Sequence, residues 1–335
     1  MIRGVTLVTG ASGFIGRYVV QHLLARGRPV RVLVRRPEAL PESARRAVEV
    51  VAGDVRDRAA LARAVRGAHT VLHLAACARA WSRDPQEFLD VNVRAVGNLL
   101  QLAEAAGVER MVHVSTILTL PPYQRASVNG RSQDPTPYES SKRIGERLVE
   151  AYAASGRHAA IVHPTRVYGP GPLHDANGVT RAIALYIRGR LRLRLADRDA
   201  LGSYVHAEDV AEGVILAADR GRRGAHYVLG GENASFRALL DMVAGLTGTR
   251  RTVVALPPGL GLAVARATEL WGRLGGDFVL PPGWVRVLLE DRRAAIEPVR
   301  WELGYRPRPL SDGLRETIAW LAAQRLIPAR CAPAA

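Results

Sequence analysis

The stretch from Val5 to Gly16, VTLVTGASGFIG, constrains this chain more than any other. A β-branched, apolar run ends in a glycine-punctuated turn, and an amphipathic run follows from Phe14 to Ala25. Gly10, Gly13 and Gly16 fall in the spacing T-G-x-x-G-x-x-G. A turn of this kind lets backbone N–H groups and a helix N-terminus approach a pyrophosphate at a distance that a Cβ would obstruct. A Walker-type phosphate loop is excluded, because no lysine follows the glycines.

The alternation that begins there continues. Strand-like runs stand at VTLVTG, VRVLVRR, VEVVAGDV, TVLHLAA, RMVHVST and AAIVHPTRVYG, and helical patterns fall at Phe14 to Ala25, Ala59 to Arg66, Pro85 to Ala106 and Pro137 to Ser155. Apolar strands with helical crossovers predict an α/β fold with a doubly wound parallel sheet buried on both faces. Beyond Gly169 the pattern loosens: a turn-rich GPGPLHDANG, helices near Val179 to Arg188 and Ser235 to Leu246, a strand-like HYVLGG, and a Pro/Gly-punctuated segment to about Gly283. No fixed-period repeat is visible. The expected organisation is a nucleotide-binding domain over residues 1–168, with returning segments at about 203–231 and 308–325. A smaller, mostly helical lobe is expected over 169–202 and 232–307.

Composition bounds the remaining function classes. With 335 residues, 48% apolar and 23% charged, the chain has room for one or two domains. No charged n-region and apolar h-region precede Val5, so no secretory signal is expected. The segment VVALPPGLGLAVARATELWGRL is broken by prolines, glycines and arginines, too often to make an apolar span of about 20 residues. Cys77 and Cys331 lack disulfide-framework or metal-ligand spacing, and a cytoplasmic location is expected. The net charge of +16 invites a nucleic-acid reading. The arginines are spread along the whole chain, however, and aromatics are only 5%, so stacking platforms are scarce. The expected partner is a small-molecule substrate, with no nucleic acid and no membrane; a homodimer is left open.

Dinucleotide folds of this kind carry an acid about 20 residues past the glycines, where it meets the ribose 2′-hydroxyl of NAD. Here that place holds Arg35 and Arg36. Guanidinium groups there suit a 2′-phosphate, so NADP is expected ahead of NAD. Asp54, ending the third strand-like run, is a candidate for the adenine amino group or a plain loop or N-cap residue.

Of the 47 basic residues only Lys142 is a lysine. It lies in TPYESSKRIGER, where Thr136, Pro137 and Glu139 read as N-cap, first helical position and capping-box partner. Tyr138 and Lys142 then lie four apart on one helix face. An ammonium beside a phenol favours the phenolate, which lowers the tyrosine pKa and makes a usable general acid or base. Arginine brings the same charge in a wider, planar fork and is a poor substitute for a compact donor.

These motifs, taken in order, resemble the short-chain dehydrogenase/reductase superfamily in its extended, Rossmann-type branch. That branch holds NAD(P)-dependent epimerases and dehydratases, dihydroflavonol reductases and 3β-hydroxysteroid dehydrogenases. VLHLAA, FLDVNVRAVGNLLQLAEAAGV, HPTRVYGPG, SYVHAEDVAEG and ELGYRPRPLSDGLRETIAWL extend the resemblance over nearly the whole chain. The resemblance implies that Tyr138 is the general acid/base and that Lys142 holds the nicotinamide ribose. It implies a hydroxyl at Thr116, with Ser115 as fallback, and an ordering role for Asn92. It implies cofactor contacts from Ser12, Phe14 and Ile15 in the glycine turn, from Val55, Ala75 and Ala76 at strand ends, and from Pro164, Thr165 and Val167.

His73, His113 and His163, near the ends of three strand-like runs, raise the question of zinc. Their spacing supplies no open tetrahedral site, and hydrogen-bonded strand histidines are expected, with no metal. Nucleotide-sugar members of the resembling branch carry Arg and Asp before the aromatic that here is Tyr204. Gly202 and Ser203 replace them, which points away from a sugar diphosphate. The expected function is a reductase or dehydrogenase interconverting a ketone and a secondary alcohol on a lipid, steroid-like or polyketide-like substrate. The rivals are a nucleotide-sugar epimerase or dehydratase, and a non-catalytic dinucleotide-sensing regulator. Leu, Val and Trp at helical spacing in ALPPGLGLAVARATELWGRLGG suit either a cover over an apolar substrate or a helix packed on the core.

Overall fold

A computed structural model describes residues 4–123, 135–196, 200–276 and 280–332. Its first half alternates as the sequence pattern requires. Strands β1 (Val5–Thr9), β2 (Val30–Val34), β3 (Glu49–Ala52), β4 (Ala68–His73), β5 (Arg110–Val114) and β6 (Ala159–Pro164) are linked through helices α1 (Gly16–Ala25), α2 (Glu42–Ala47), α3 (Arg58–Val65), α4 (Gln86–Leu89), α5 (Ala95–Ala105) and α6 (Pro137–Ala154). With β10 (His226–Leu229) they form one seven-stranded sheet in the order β10-β6-β5-β4-β1-β2-β3. Every pairing in it is parallel. This is the doubly wound architecture, with strand order reversing between β4 and β1.

Strand alternation builds two cores from adjacent residues. Val8, Val32, Leu72, Val112 and Val162 face one side, where they meet Val19 and Leu23 of α1. Their neighbours Leu7, Leu33, Val71, Met111 and Ile161 face the other, against Leu61 of α3, Leu99 of α5 and Val149 of α6. All of these are essentially inaccessible. Truncating any of the leucines to alanine costs about 2–5 kcal/mol, because such a site collapses only partly.

The expected single helix from Pro85 to Ala106 is interrupted. Between α4 and α5, Asp90–Arg94 form a widened π-turn. The Asn92 carbonyl there comes so close to α6 that a Cβ on Gly145 would lie 2.5 Å from it. The expected long strand AAIVHPTRVYG also divides. Pro164, with no N–H to donate, ends β6, and β7 (Arg166–Tyr168) leaves for another sheet.

The rest of the chain adds β8 (Leu193–Leu195), β9 (Leu201–His206), β11 (Glu232–Ser235) and β12 (Val254–Leu256). It also adds helices α7 (Gly178–Ile187), α8 (Ala207–Arg220), α9 (Phe236–Thr247), α10 (Pro258–Arg273), α11 (Pro282–Leu289), α12 (Glu297–Leu303) and α13 (Leu310–Ala323). Strands β11, β9 and β7 form a small sheet, and β12 with β8 a two-stranded ribbon. Val299 and Leu303 of α12 join the α1 side of the main sheet, while Leu314 and Ile318 of α13 pack with Ile183 of α7 and Leu239 of α9 in a third core. No helix among the described residues is long and apolar enough to cross a membrane.

Candidate active site

The glycine turn sits at the carboxyl end of β1, next to the strand-order reversal. Gly10 has φ +73, a left-handed conformation that a side chain disfavours, and a Cβ there would lie 2.7 Å from the Ala75 nitrogen. A Cβ on Gly16 would strike the Gly10 carbonyl at 2.1 Å. The turn can close only with glycine at both places. Helix α1 begins with no side-chain cap and no acidic residue in its first turn; Arg17 and Tyr18 N–H donate to the Gly13 and Ile15 carbonyls, and the positive end of the helix dipole is left without a side-chain counter-charge. Ser12 is exposed on this turn and Ile15 half-buried. Phe14 is turned inward, edge-on to His174 with ring centroids 6.5 Å apart.

Past β2, Arg35 and Arg36 are both exposed. The Asp54 carboxylate is already engaged: Arg56 donates from Nε at 3.0 Å, from Nη2 at 2.9 Å and from its backbone at 2.9 Å. That bonding holds Asp54 below the usual carboxylate range, with Arg35 adding to the effect. Reaching an adenine amino group therefore requires Asp54 to share its oxygens with Arg56. Val55 is buried in the α3-side core. Ala75 and Ala76 are half-buried after β4, and the Ala75 N–H donates to Thr9 Oγ1 at 3.3 Å.

Helix α6 starts as its sequence requires. The Thr136 hydroxyl accepts from Glu139 N–H at 3.1 Å, and the Glu139 carboxylate accepts from Thr136 N–H at 2.8 Å. This capping box places Tyr138 in the first turn, half-buried. Asn92 fixes that turn from outside. Its amide accepts from Cys77 N–H at 2.9 Å, donates to the Cys77 carbonyl at 3.1 Å, and donates to Ser141 Oγ at 2.9 Å. Ser141 in turn donates to the Tyr138 carbonyl at 2.9 Å. Asn92 thus ties the loop after β4 to the residue that carries the phenol.

The two hydroxyls at the end of β5 separate. Thr116 hydrogen-bonds the Tyr138 phenol. Ser115 donates instead to the buried Glu146 carboxylate, which also accepts from Thr119 Oγ1 at 2.7 Å. Burial pushes the Tyr138 pKa up to about 12, and the Thr116 bond lowers it in part. The anticipated lowering by Lys142 is not the dominant effect. The lysine ammonium is turned into β5, where it donates to the Val114 carbonyl at 2.8 Å and contacts His113 Nε2 at 3.2 Å. Desolvation brings Lys142 down to about 8. Tyr138 is therefore a protonated acid at neutral pH, and Lys142 is a buried cation close to losing its proton.

The strand histidines are hydrogen-bonded side chains. His73 Nδ1 meets Thr9 Oγ1 at 2.7 Å, and its ring stacks on His113 at 5.4 Å. His163 Nδ1 lies 3.1 Å from the Thr116 carbonyl and its Nε2 3.0 Å from His226 Nδ1. Burial holds all three below the ordinary imidazole pKa, His73 at about 3. Each is thus held neutral at physiological pH. Pro164, Thr165 and Val167 lie where β6 passes to β7, and the buried Thr165 Oγ1 lacks a hydrogen-bond partner among the described residues. An uncapped α1 and this orphaned hydroxyl at the same sheet end fit a bound dinucleotide.

Two groups escaped sequence reasoning. Glu146 lies one turn beyond Lys142, a spacing that could have drawn notice, and its field favours the charged lysine. Glu139 accepts from Arg286 of α11. Glu290 accepts from Arg286 at 2.7 Å and from Arg292 at 2.6 Å. All four are buried. They fasten α11 and the segment after it to the capping-box residue beside Tyr138, and nothing local in EDR at 290–292 signals it.

Residues 6–230 match the description "NAD dependent epimerase/dehydratase family". The chain belongs to that family. Over 331 residues it is 33% identical to sterol demethylase protein B of Methylococcus capsulatus, covering 96% of this chain and 99% of the relative. It is 31% identical to 4-hydroxy-2-methyl-3-oxo-4-farnesyl-3,4-dihydroquinoline-1-oxide ketoreductase of Stigmatella aurantiaca, covering 90% and 92% of the two chains. The solved structure of MoeE5 in complex with UDP-glucose and NAD superimposes with a TM-score of 0.73 at 28% identity, covering 96% of this chain and all of that one. This epimerase/dehydratase-family chain is accordingly an NAD(P)-dependent oxidoreductase of the extended short-chain dehydrogenase/reductase type.

Proposed function

We propose that the protein interconverts a ketone and a secondary alcohol on an apolar, lipid-like, steroid-like or polyketide-like substrate, with NADP preferred. The observation that carries this reading is the Tyr138 phenol, kept protonated beside Thr116 at the end of β5. The dinucleotide, when bound, supplies or accepts the hydride. Tyr138 passes its phenolic proton to the substrate oxygen during reduction, and Thr116 orients that oxygen. Of the three Lys142 ammonium donors, two are taken by Val114 and His113, and the third would hold the ribose hydroxyls of a bound dinucleotide. Gly10, Gly13, Gly16 and the α1 N-terminus receive the pyrophosphate. Arg35 and Arg36 receive a 2′-phosphate, which is the basis of the NADP preference. Asn92 holds the tyrosine-bearing turn.

The apolar substrate class draws on the sterol and farnesyl-quinoline names of the two relatives. It also draws on β9, where Gly202 stands in place of the arginine typical of nucleotide-sugar enzymes. A Cβ at Gly202 would lie 2.4 Å from the Arg166 guanidinium, which donates to Tyr204 OH at 3.0 Å and stacks on its ring. The space is thus filled from β7 by an arginine already engaged. The test is net NADPH oxidation against a panel of 3-oxosteroids and 2-alkyl-3-oxo acids, run beside UDP-glucose. Consumption with apolar ketones supports the reading. Conversion of UDP-glucose without net consumption would establish the epimerase instead, and cofactor binding with no turnover of any kind the sensor.

A further inference from the structure

Helix α10 is apolar on the side that faces away from the protein. Gly261, Leu262, Ala265 and Gly272 are its buried positions. At ~100° per residue, Leu260, Val264, Ala267, Leu270, Trp271 and Leu274 fall on the opposite side. Leu260 is 51% exposed, Leu270 and Trp271 61%, and Leu274 76%. Single exposed apolar residues are ordinary. A stripe running the length of one helix is not, and such patches mark interaction surfaces.

Exposed apolar residues also stand on the β8–β12 ribbon, which packs against the Gly261 side of α10. Leu193 and Val254 are register partners and both more than half exposed. Leu195 shares a strand face with Leu193, two residues on, and it packs on α10: a Cβ on Gly261 would lie 2.3 Å from it. The rim is basic. Arg266 and Arg273 lie seven residues apart along one flank of the helix, Arg273 bonded to Glu269 at 3.1 Å. Arg192, Arg250 and Arg251 are exposed within four residues of Leu193 or Val254. The chain as a whole carries +16.

We propose that the outward face of α10 seats this protein on the surface of an anionic lipid bilayer without crossing it. A helix with an outward apolar face and flanking arginines lies in the interface plane, its apolar side at the acyl boundary and its cations among anionic headgroups. The sequence expectation of no membrane partner came from span length, which addresses crossing and not lying on a surface. A second copy is the poorer occupant, because pairing this face with itself brings like-charged rims together. The proposal does not depend on the substrate reading, since vesicle binding needs no ketone.

The test is co-sedimentation of the full chain with vesicles of phosphatidylcholine alone or mixed with phosphatidylglycerol, at low and high salt. The expected result is pelleting with the anionic vesicles, reduced by salt. Binding should weaken about tenfold or more in a Trp271→Ser/Leu274→Ser variant, and Arg266→Glu/Arg273→Glu should lose the anionic preference. Should the serine variant misfold, Trp271→Phe serves instead. The parent's tryptophan emission should shift to the blue on adding anionic vesicles, and this variant should lose most of that shift. Absence of pelleting, or pelleting unchanged by the α10 substitutions, overturns the proposal. So does a solution dimer that Trp271→Ser/Leu274→Ser dissociates, which would name a second copy as the occupant.

Discussion

The Lys142 ammonium donates to the Val114 carbonyl at 2.8 Å, so the chain's one lysine is bonded to the last residue of β5, just before Ser115 and Thr116. Its side chain is buried, and a planar guanidinium fork is a poor substitute for this compact donor. Lys142→Arg should therefore keep the charge and the helix yet lower turnover by at least about tenfold, or roughly 1.4 kcal/mol of transition-state stabilisation. The pH profile adds a second readout. Lys142 is brought down to about 8 by burial while Tyr138 is pushed up to about 12. Ketone reduction should then fall as pH rises through about 8, where the ammonium is lost and the phenol is still protonated. The arginine variant should lack that descending limb. A fully active Lys142→Arg enzyme would show that the residue is not catalytic.

Arg35 and Arg36 stand exposed beyond β2, with Arg35 close enough to lower the Asp54 pKa. NADPH should bind more tightly than NADH, and Arg35→Asp should narrow or invert the ratio. Fluorescence titration of both cofactors against both proteins checks this. Equal affinities in the parent would remove the argument.

Arg286 is expected to matter for stability and for the site together. Arg286→Ala leaves the buried Glu139 without its main ionic partner and the buried Glu290 with Arg292 alone, an arrangement that costs about 3–5 kcal/mol. Thermal unfolding should register the loss. Cofactor affinity should change less than turnover, because the disturbed residue caps the turn that carries Tyr138.

A pH-dependent clasp joins α1 to α8. His22 Nδ1 lies 3.3 Å from Glu212 and Nε2 3.1 Å from Glu208. The Glu212 bond, then that to Glu208, raises the His22 pKa above 6.5 against the effect of burial. A raised histidine stabilises the fold fully below its unfolded pKa, and that contribution fades as pH rises through the folded value. His22→Ala should thus cost about 0.5–1 kcal/mol near pH 6, a modest figure because the groups are partly exposed. It should cost less near pH 8.5. Paired melting curves at the two pH values measure the difference, and an equal loss at both would contradict the assignment.

What the sequence made legible was what a short stretch can encode. Gly10 and Gly16 are required by local backbone closure, and Thr136 with Glu139 by the first turn of one helix, so all four could be read directly. The division between Ser115 and Thr116 could not, because it depends on Glu146, 31 residues beyond Ser115, drawing that hydroxyl away. The interrupted helix at Asn92 follows from the close approach of α6. The Glu139, Arg286, Glu290 and Arg292 cluster joins segments about 150 residues apart, and its members look like surface charges until the fold buries them. The Tyr138 pKa shows the same limit. Helical spacing suggested a lysine effect, whereas burial, a property of the whole fold, has the larger one.

The claim on which the functional account turns is that Tyr138 donates the proton. Tyr138→Phe removes only the hydroxyl from a half-buried ring, leaving the capping box, Asn92 and Lys142 in place. The decisive measurement is NADPH oxidation by Tyr138→Phe with an accepted ketone, together with NADPH affinity by fluorescence titration. The account predicts affinity within about twofold of the parent and a fall in turnover of at least about 100-fold, in the range ascribed to general acid catalysis. Turnover at the parent's rate with the cofactor bound would contradict it.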